Sequence, residues 1–436
     1  MIVGGRAAMI VGAASPLNRV HEILQRMREQ IHHVESLKMC CGVLAILSRD
    51  EANKLLIARD GLRLLRSMMD QHAARADLLE AACDLLWALA FNNALLKEVI
   101  GRQGGIAAIV HGMKMHPANA DFLKSACGAL SNMCQNVPNQ DLISQHGGVP
   151  CLLRVLRDHR ADVVLLPFAF DALASLIVGN AGNATQLSAL GAADAALAAL
   201  HDHASCDDLA KSACHALAIL SDTRGEGAKI AAGGGVGILL PVLQRHPRHV
   251  DLHRVGAVVL LRMLQEAPVA ADIARGGGVP LMLLVVRFQL AEVETVAAAC
   301  HILYSITHDD ALRGPPAIDL EAQLRTPFLR GGIVAAAANV PDETAAAVGA
   351  LVLVLDRHAA RRDVARACVR SISNLCRSPS ILATLGGLGV ADCMLRVVDA
   401  HPHARDVVDA AIKMVKALDA ADAQPADAAR ARTADA

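Results

Sequence analysis

Apolar positions recur along this chain on two scales. Within short stretches they return every three or four residues. In "DFLKSACGALSNMC", Leu123, Cys127, Leu130 and Cys134 fall on one helical stripe. Cys83, Cys214 and Cys300 hold the same phase in "ACDLLWAL", "ACHALAIL" and "ACHILYSI". On the longer scale, glycine pairs act as a ruler: Gly105, Gly148 and Gly191 lie 43 residues apart, as do Gly235 and Gly278. Each period reads as three helical pieces. A short first helix begins at Asn or another small residue and ends at glycines, where a positive φ is wanted. A second carries Pro150 or Pro280 near its first turn, where a missing N–H costs little, and closes on a histidine in "KMHP", "RDHR", "QRHP", "DRHA" and "DAHP". The third is the longest and most apolar.

No unit of this size buries its own apolar face, so consecutive units must stack. The period predicts an all-α solenoid of about eight to nine three-helix units over residues 18–418. Units start near Asn18, Gly61, Gly104, Gly147, Ala189, Gly233, Gly276, Gly331 and Gly386. Residues 1–17 form an N-terminal extension. "ALRGPPAIDLEAQLRTPF" breaks the spacing as an irregular insertion at about 311–328, and Pro241 is expected to bend its helix. Residues 419–436 read as a disordered Ala/Asp-rich tail.

The stretch "GGIAAIVHGMKMHPANADFLKSACGALSNMCQNVPNQDLIS", Gly104–Ser144, closely resembles the armadillo repeat, whose unit has Gly-Gly before its second helix and an "A-x-x-A-L-x-N-L" third helix. The resemblance implies a right-handed superhelix whose third helices line a concave groove for extended peptides. The face beside the core stripe then supplies groove candidates: Asp84, Asn132, Gln135, Asp171, Ser175, His215, Arg262, Ser305, Arg370, Asn374, Arg377 and Lys413. In armadillo proteins an Asn at the middle position clamps a peptide backbone, since its amide both donates and accepts. Asn132 and Asn374 match that position. Nuclear-import adaptors of this fold place Trp one turn earlier, where this chain has Gly128 and Arg370; a basic autoinhibitory N-terminus is also missing. A classical import role is therefore not expected.

Charge adds one expectation. Asp84 and Asp171 lie in the first half of the inferred groove, whereas Arg262, Arg370, Arg377 and Lys413 gather in the second. The second half is thus suited to an acidic or phosphorylated partner segment, because Arg forks bind carboxylate and phosphate. Solvated helix faces are the alternative reading of the same charges.

Composition narrows the function classes. Of 436 residues, 54% are hydrophobic but only 2% aromatic, with one Trp and one Tyr, which favours helices over sheets. A net charge of −1 gives no basic coat, so nucleic acid is not an expected partner. No stretch reaches the ~18 uninterrupted apolar residues of a membrane span. Twelve cysteines without a clear secretory signal point to free thiols in a reducing compartment, and a cytoplasmic location is expected. "MIVGGRAAMIVGAAS", with no acidic residue before Glu22, leaves a mitochondrial presequence open.

The absence of Cys-x2-Cys pairs assigns the cysteines to core packing and not to metal. The "GGG" runs at Gly233 and Gly276 have no leading strand and no G-K-[ST], so they read as turns. The recurring His72, His116, His159, His246, His358 and His401 read as helix-end caps against the dipole. With no catalytic constellation and no cofactor motif, the expected function is a monomeric, non-enzymatic scaffold or adaptor that binds protein partners. The alternative is a structural subunit of a large ciliary, cytoskeletal or organellar assembly, with the insertion and tail as docking elements.

Overall fold

Most first helices begin where an Asp or Asn side chain caps the backbone. Asp50, Asn93, Asn136 and Asn180 each accept from the N–H three residues ahead, at 2.9–3.2 Å. The helices that begin at Asn93 and Asn136 end in glycine pairs. Gly147 has φ +81°, in the left-handed region, and a Cβ on Gly148 would lie 2.4 Å from Ile143 Cγ2. Both members of the pair are therefore needed, one for its dihedral and one for its bareness.

The computed structural model describes residues 16–246, 249–307, 343–375 and 389–418. The insertion at 311–328, the tail at 419–436, the first fifteen residues and the groove candidate Arg377 lie outside the described residues. Two compact units divide at Ala199 and Leu200. The first contains α1 (Pro16–Glu29), α2 (Val34–Leu47), α3 (Glu51–Gln71), α4 (Ala76–Ala90), α5 (Ala94–Arg102), α6 (Gly105–Met115), α7 (Ala120–Met133), α8 (Val137–Gln145), α9 (Gly148–Asp158), α10 (Leu166–Ile177) and α11 (Ala181–Ala189). The boundary falls inside α12 (Ala192–Asp202). The second unit contains α13 (Asp207–Leu220), α14 (Glu226–Ala232), α15 (Gly235–Arg245), α16 (Val250–Glu266), α17 (Ala270–Arg275), α18 (Gly278–Phe288), α19 (Val293–Thr307), α20 (Glu343–His358), α21 (Arg362–Leu375), α22 (Val390–Ala400) and α23 (405–418).

Every regular element among the described residues is a helix, and the three-helix unit recurs through both halves. Third helices pack on third helices: α2, α4, α7 and α10 in the first unit, and α13, α16, α19 and α21 in the second. Burial there exceeds the single stripe that the spacing suggests. On α7, Phe122, Leu123, Ala126, Cys127, Ala129, Leu130 and Met133 are all at most 1% exposed, because the helix is pressed from several sides. Small Ala, Cys and Gly side chains permit that approach. Burial pushes the Cys127 thiol up to about 12, so it is an inert packing group at neutral pH.

One expectation is corrected. Gly61 does not end a first helix. It lacks a preceding glycine, so first and second helices fuse into the 21-residue α3, with Gly61 against Leu24 of α1. Pro241 lies inside α15, as the sequence places it, and the helix continues from Gly235 to Arg245.

The recurring histidines stand at the C-terminal ends of their own helices, as the sequence places them, but their rings bond elsewhere. Each reaches back one repeat and donates Nε2–H to a loop carbonyl there: His72 to Ile31 at 2.7 Å, His116 to Ala73 at 2.6 Å, His159 to Pro117 at 2.8 Å, His246 to Ala204 at 2.8 Å and His401 to Ala359 at 2.7 Å. His358 makes the same bond, at 2.9 Å, to Leu290, 68 residues away. Gln289 stands where a histidine would and donates to Val250 at 2.8 Å. A second set of clips runs forward from second helices. Arg66, Lys114, Arg157 and Gln244 donate to the carbonyls of Gly104, His146, Leu190 and Gly276, where the next first helix ends. Among the described residues no single helix is long and apolar enough to cross a membrane.

Two predictions follow from these contacts. His159→Ala should lower the unfolding free energy by ~1–2 kcal/mol in urea titration, since it strips the Pro117 carbonyl of its donor. His159→Gln should recover at least half of that loss, as Gln289 does natively. The second concerns Glu266, whose carboxylate accepts from Gly225 N at 3.0 Å and Ala228 N at 3.1 Å at the start of α14. The Gly225 N–H, with Ala228 and Gly227, holds its carboxyl below the ordinary value. The resulting stabilisation is complete above the unfolded glutamate value of about 4.3 and is lost as pH falls through the lower folded value. Glu266→Gln should therefore show a lower urea midpoint than the parent at neutral pH, and the gap should close as pH falls below about 4.

Candidate functional site

The third-helix face of the first unit combines a recess, an aromatic shelf and a row of amides. The recess, about 640 Å³, lies between the ends of α2 and α4 and the start of α3. Ile46, Asp84, Trp87, Ala88 and Phe91 line it, with Arg49 and Lys54 on its α2–α3 side. Ile46 is 58% and Phe91 54% exposed, so two large apolar side chains face solvent beside a cavity.

Trp87, the single tryptophan of the chain, forms the wall toward α7. Its ring lies over Gly128, where an added Cβ would stand 3.2 Å from the indole. The bare backbone of α7 lets Trp87 reach Phe168 in the first turn of α10, edge to face, with centroids 5.8 Å apart. Gly128 therefore does not weaken the face. It makes room for an aromatic from the neighbouring repeat.

The polar candidates of this unit flank the shelf. Asn132 donates to the Trp87 carbonyl at 3.4 Å, longer than the usual hydrogen-bond range, so its amide is loosely held. Ser175 lies 3.4 Å from Ser131, Oγ to Oγ. Asp84, Gln135 and Asp171 are exposed. Gln135 accepts from the ammonium of the buried Lys97 at 2.5 Å. Lys97 belongs to a ladder on the first helices with Lys54 and Gln140: Lys54 donates to the Phe91 carbonyl at 2.8 Å, and Gln140 to those of Ser175 and Val178 at 3.0 Å. These side chains fix the C-terminal ends of α4 and α10, where the face is most apolar.

The candidates of the second unit are arranged differently. His215 and Lys413 are exposed, and Ser305 donates back to the His301 carbonyl at 3.0 Å within its own helix. Arg262 is paired with Asp222 at 2.6 Å. Arg370 lies 3.1 Å from Asp406, which also holds Arg366 at 2.6 Å, and stacks over Tyr304 at 5.3 Å. The expected cationic surface is thus neutralised in part from within, by ion pairs to Asp222 and Asp406 that third-helix phase alone does not reveal. Asn374 is also misplaced by the sequence reading: only 8% exposed, it donates to Thr307 Oγ1 at 3.2 Å instead of facing a partner.

No protein-family profile matches the chain, and no curated protein matches it. Solved structures do. An engineered protein from a structural genomics consortium shares 17% identity over 93% of this chain and 99% of its own, with a TM-score of 0.58. The chain has an armadillo-like repeat fold. A second engineered protein aligns with 57% of this chain and 98% of its own at 18% identity and TM-score 0.50. A designed armadillo repeat protein aligns with 55% of the chain and 99% of its own, at 19% identity and TM-score 0.48.

Placement of Trp87 over Gly128 is directly testable, because a single tryptophan carries all the indole emission. Gly128→Leu should push the ring off α7, red-shift the emission and raise acrylamide quenching, with little change in far-ultraviolet circular dichroism. Unchanged emission would remove the shelf.

Proposed function

We propose that the chain is a non-enzymatic scaffold that holds extended segments of partner proteins on the third-helix face of its first unit. The observation that carries this reading is the juxtaposition of an open recess, exposed Ile46 and Phe91, and the loosely bonded Asn132 amide. An extended segment brings apolar side chains on one edge and unpaired backbone N–H and C=O groups on the other. Recess and amide meet those two needs together. The first unit is favoured over the second because an acidic or phosphorylated segment there would have to displace Asp222 from Arg262 and Asp406 from Arg370.

Panning a display library of random 12-residue peptides against the full chain tests the reading. Enriched peptides should bind Phe91→Ser and Asn132→Ala variants about tenfold more weakly, at unchanged thermal midpoints. Peptides that bind both variants as tightly as the parent would place the binding surface elsewhere.

A further inference from the structure

The recess does not stand alone on α4. Trp87, Asp84 and Glu80 follow one another at three- and four-residue spacing, so the apolar wall runs into two carboxylates on the same helical face. Asp121, at the start of α7, is close enough to act on Glu80. Burial, then Asp121 and Asp84, raise the Glu80 carboxyl above its ordinary value, against the weaker pull of Lys124 and Lys38. No ion pair among the described residues engages Glu80, Asp84 or Asp121. Lys38 is held instead by Asp77, at 3.1 Å. The three carboxylates thus outnumber the two nearby lysines without being ion-paired to either, and Asp84 borders directly on the apolar cavity.

The opposite side of the recess has the opposite sign. Lys54 is bound to the Phe91 carbonyl and lies 3.4 Å from Glu51, and Arg49 is exposed at the rim. A cationic side chain is repelled there and drawn toward α7. Charge across the recess thus sets which way a bound segment faces.

We infer that the partner segment carries one bulky apolar side chain, which enters the recess between α2 and α4, and a Lys or Arg within about three residues of it, which meets Glu80, Asp84 and Asp121. The inference rests on the scaffold reading above. Extended chain advances about 3.3–3.6 Å per residue, and one helical turn separates Trp87 from Asp84 and Asp84 from Glu80. A cation one to three residues from the anchor therefore spans the distance. The apolar residue supplies the burial, and the cation fixes register and direction.

Trp87 emission provides the readout. Three synthetic 12-residue peptides in a Gly/Ser background are titrated into the full chain: one Leu with two Lys nearby, the same Leu with two Glu, and the two Lys without Leu. The Leu–Lys peptide should shift Trp87 emission saturably and bind about tenfold tighter than either of the others. Its advantage over Leu–Glu should fall below about threefold in a Glu80→Gln, Asp84→Asn, Asp121→Asn variant that melts like the parent. Equal binding of Leu–Lys and Leu–Glu by the parent overturns the charge assignment and leaves the scaffold reading standing. Equal binding of the Lys-only peptide overturns the role of the recess. If neither these peptides nor any panned sequence affects Trp87, both readings fall.

Discussion

Hydrogen bonds from one repeat to the backbone of the next hold this array in register. Burial drives the repeats together, but apolar contact is indifferent to small slides along a helix axis. A directional bond to one carbonyl is not. The imidazoles reach back from second helices, and Arg66, Lys114, Arg157 and Gln244 reach forward to the ends of first helices. Helices α3, α6, α9 and α15 are thereby pinned to neighbours on both sides. Third helices, carried on that frame, can then be packed through small side chains with little polar anchoring of their own.

This division of labour explains why the third-helix face of the first unit is free to be unusual. Its stability comes from contacts behind it, so Ile46 and Phe91 can remain exposed and Asn132 loosely bonded without loss of the fold. The first-helix ladder of Lys54, Lys97 and Gln140 does the linking: it fixes the ends of α4 and α10 from below and leaves the upper surface to solvent. In the second unit the corresponding surface is closed by its own ion pairs, at Arg262–Asp222 and Arg370–Asp406.

Much of this was legible before any coordinates. The spacing of Gly105, Gly148 and Gly191 carries the repeat, because a left-handed dihedral beside a crowded contact admits little but glycine. Buried Cys127 and Cys134 were equally readable, since helical spacing alone assigns a core. The histidines were recognised as periodic but given the wrong partner: one-dimensional spacing shows that His116 ends α6, not that its ring points across to Ala73. Asn374 failed for a related reason. It matches the motif of Asn132, yet Thr307 from the preceding third helix captures it. Trp87 carried no periodic signal at all, being unique in the chain. Its importance depends on the missing side chain at Gly128, one repeat away.

The clip between His358 and Leu290 closes a loop of 68 residues where its counterparts close 41 to 43. Loop-closure entropy grows only logarithmically, so the longer excursion costs about 0.4 kcal/mol more than an ordinary repeat. The stacking of α19 on α21 is kept across it. The length of chain between two clipped positions is therefore a weak constraint beside the clip itself, so spacing along the sequence and spacing along the array need not match.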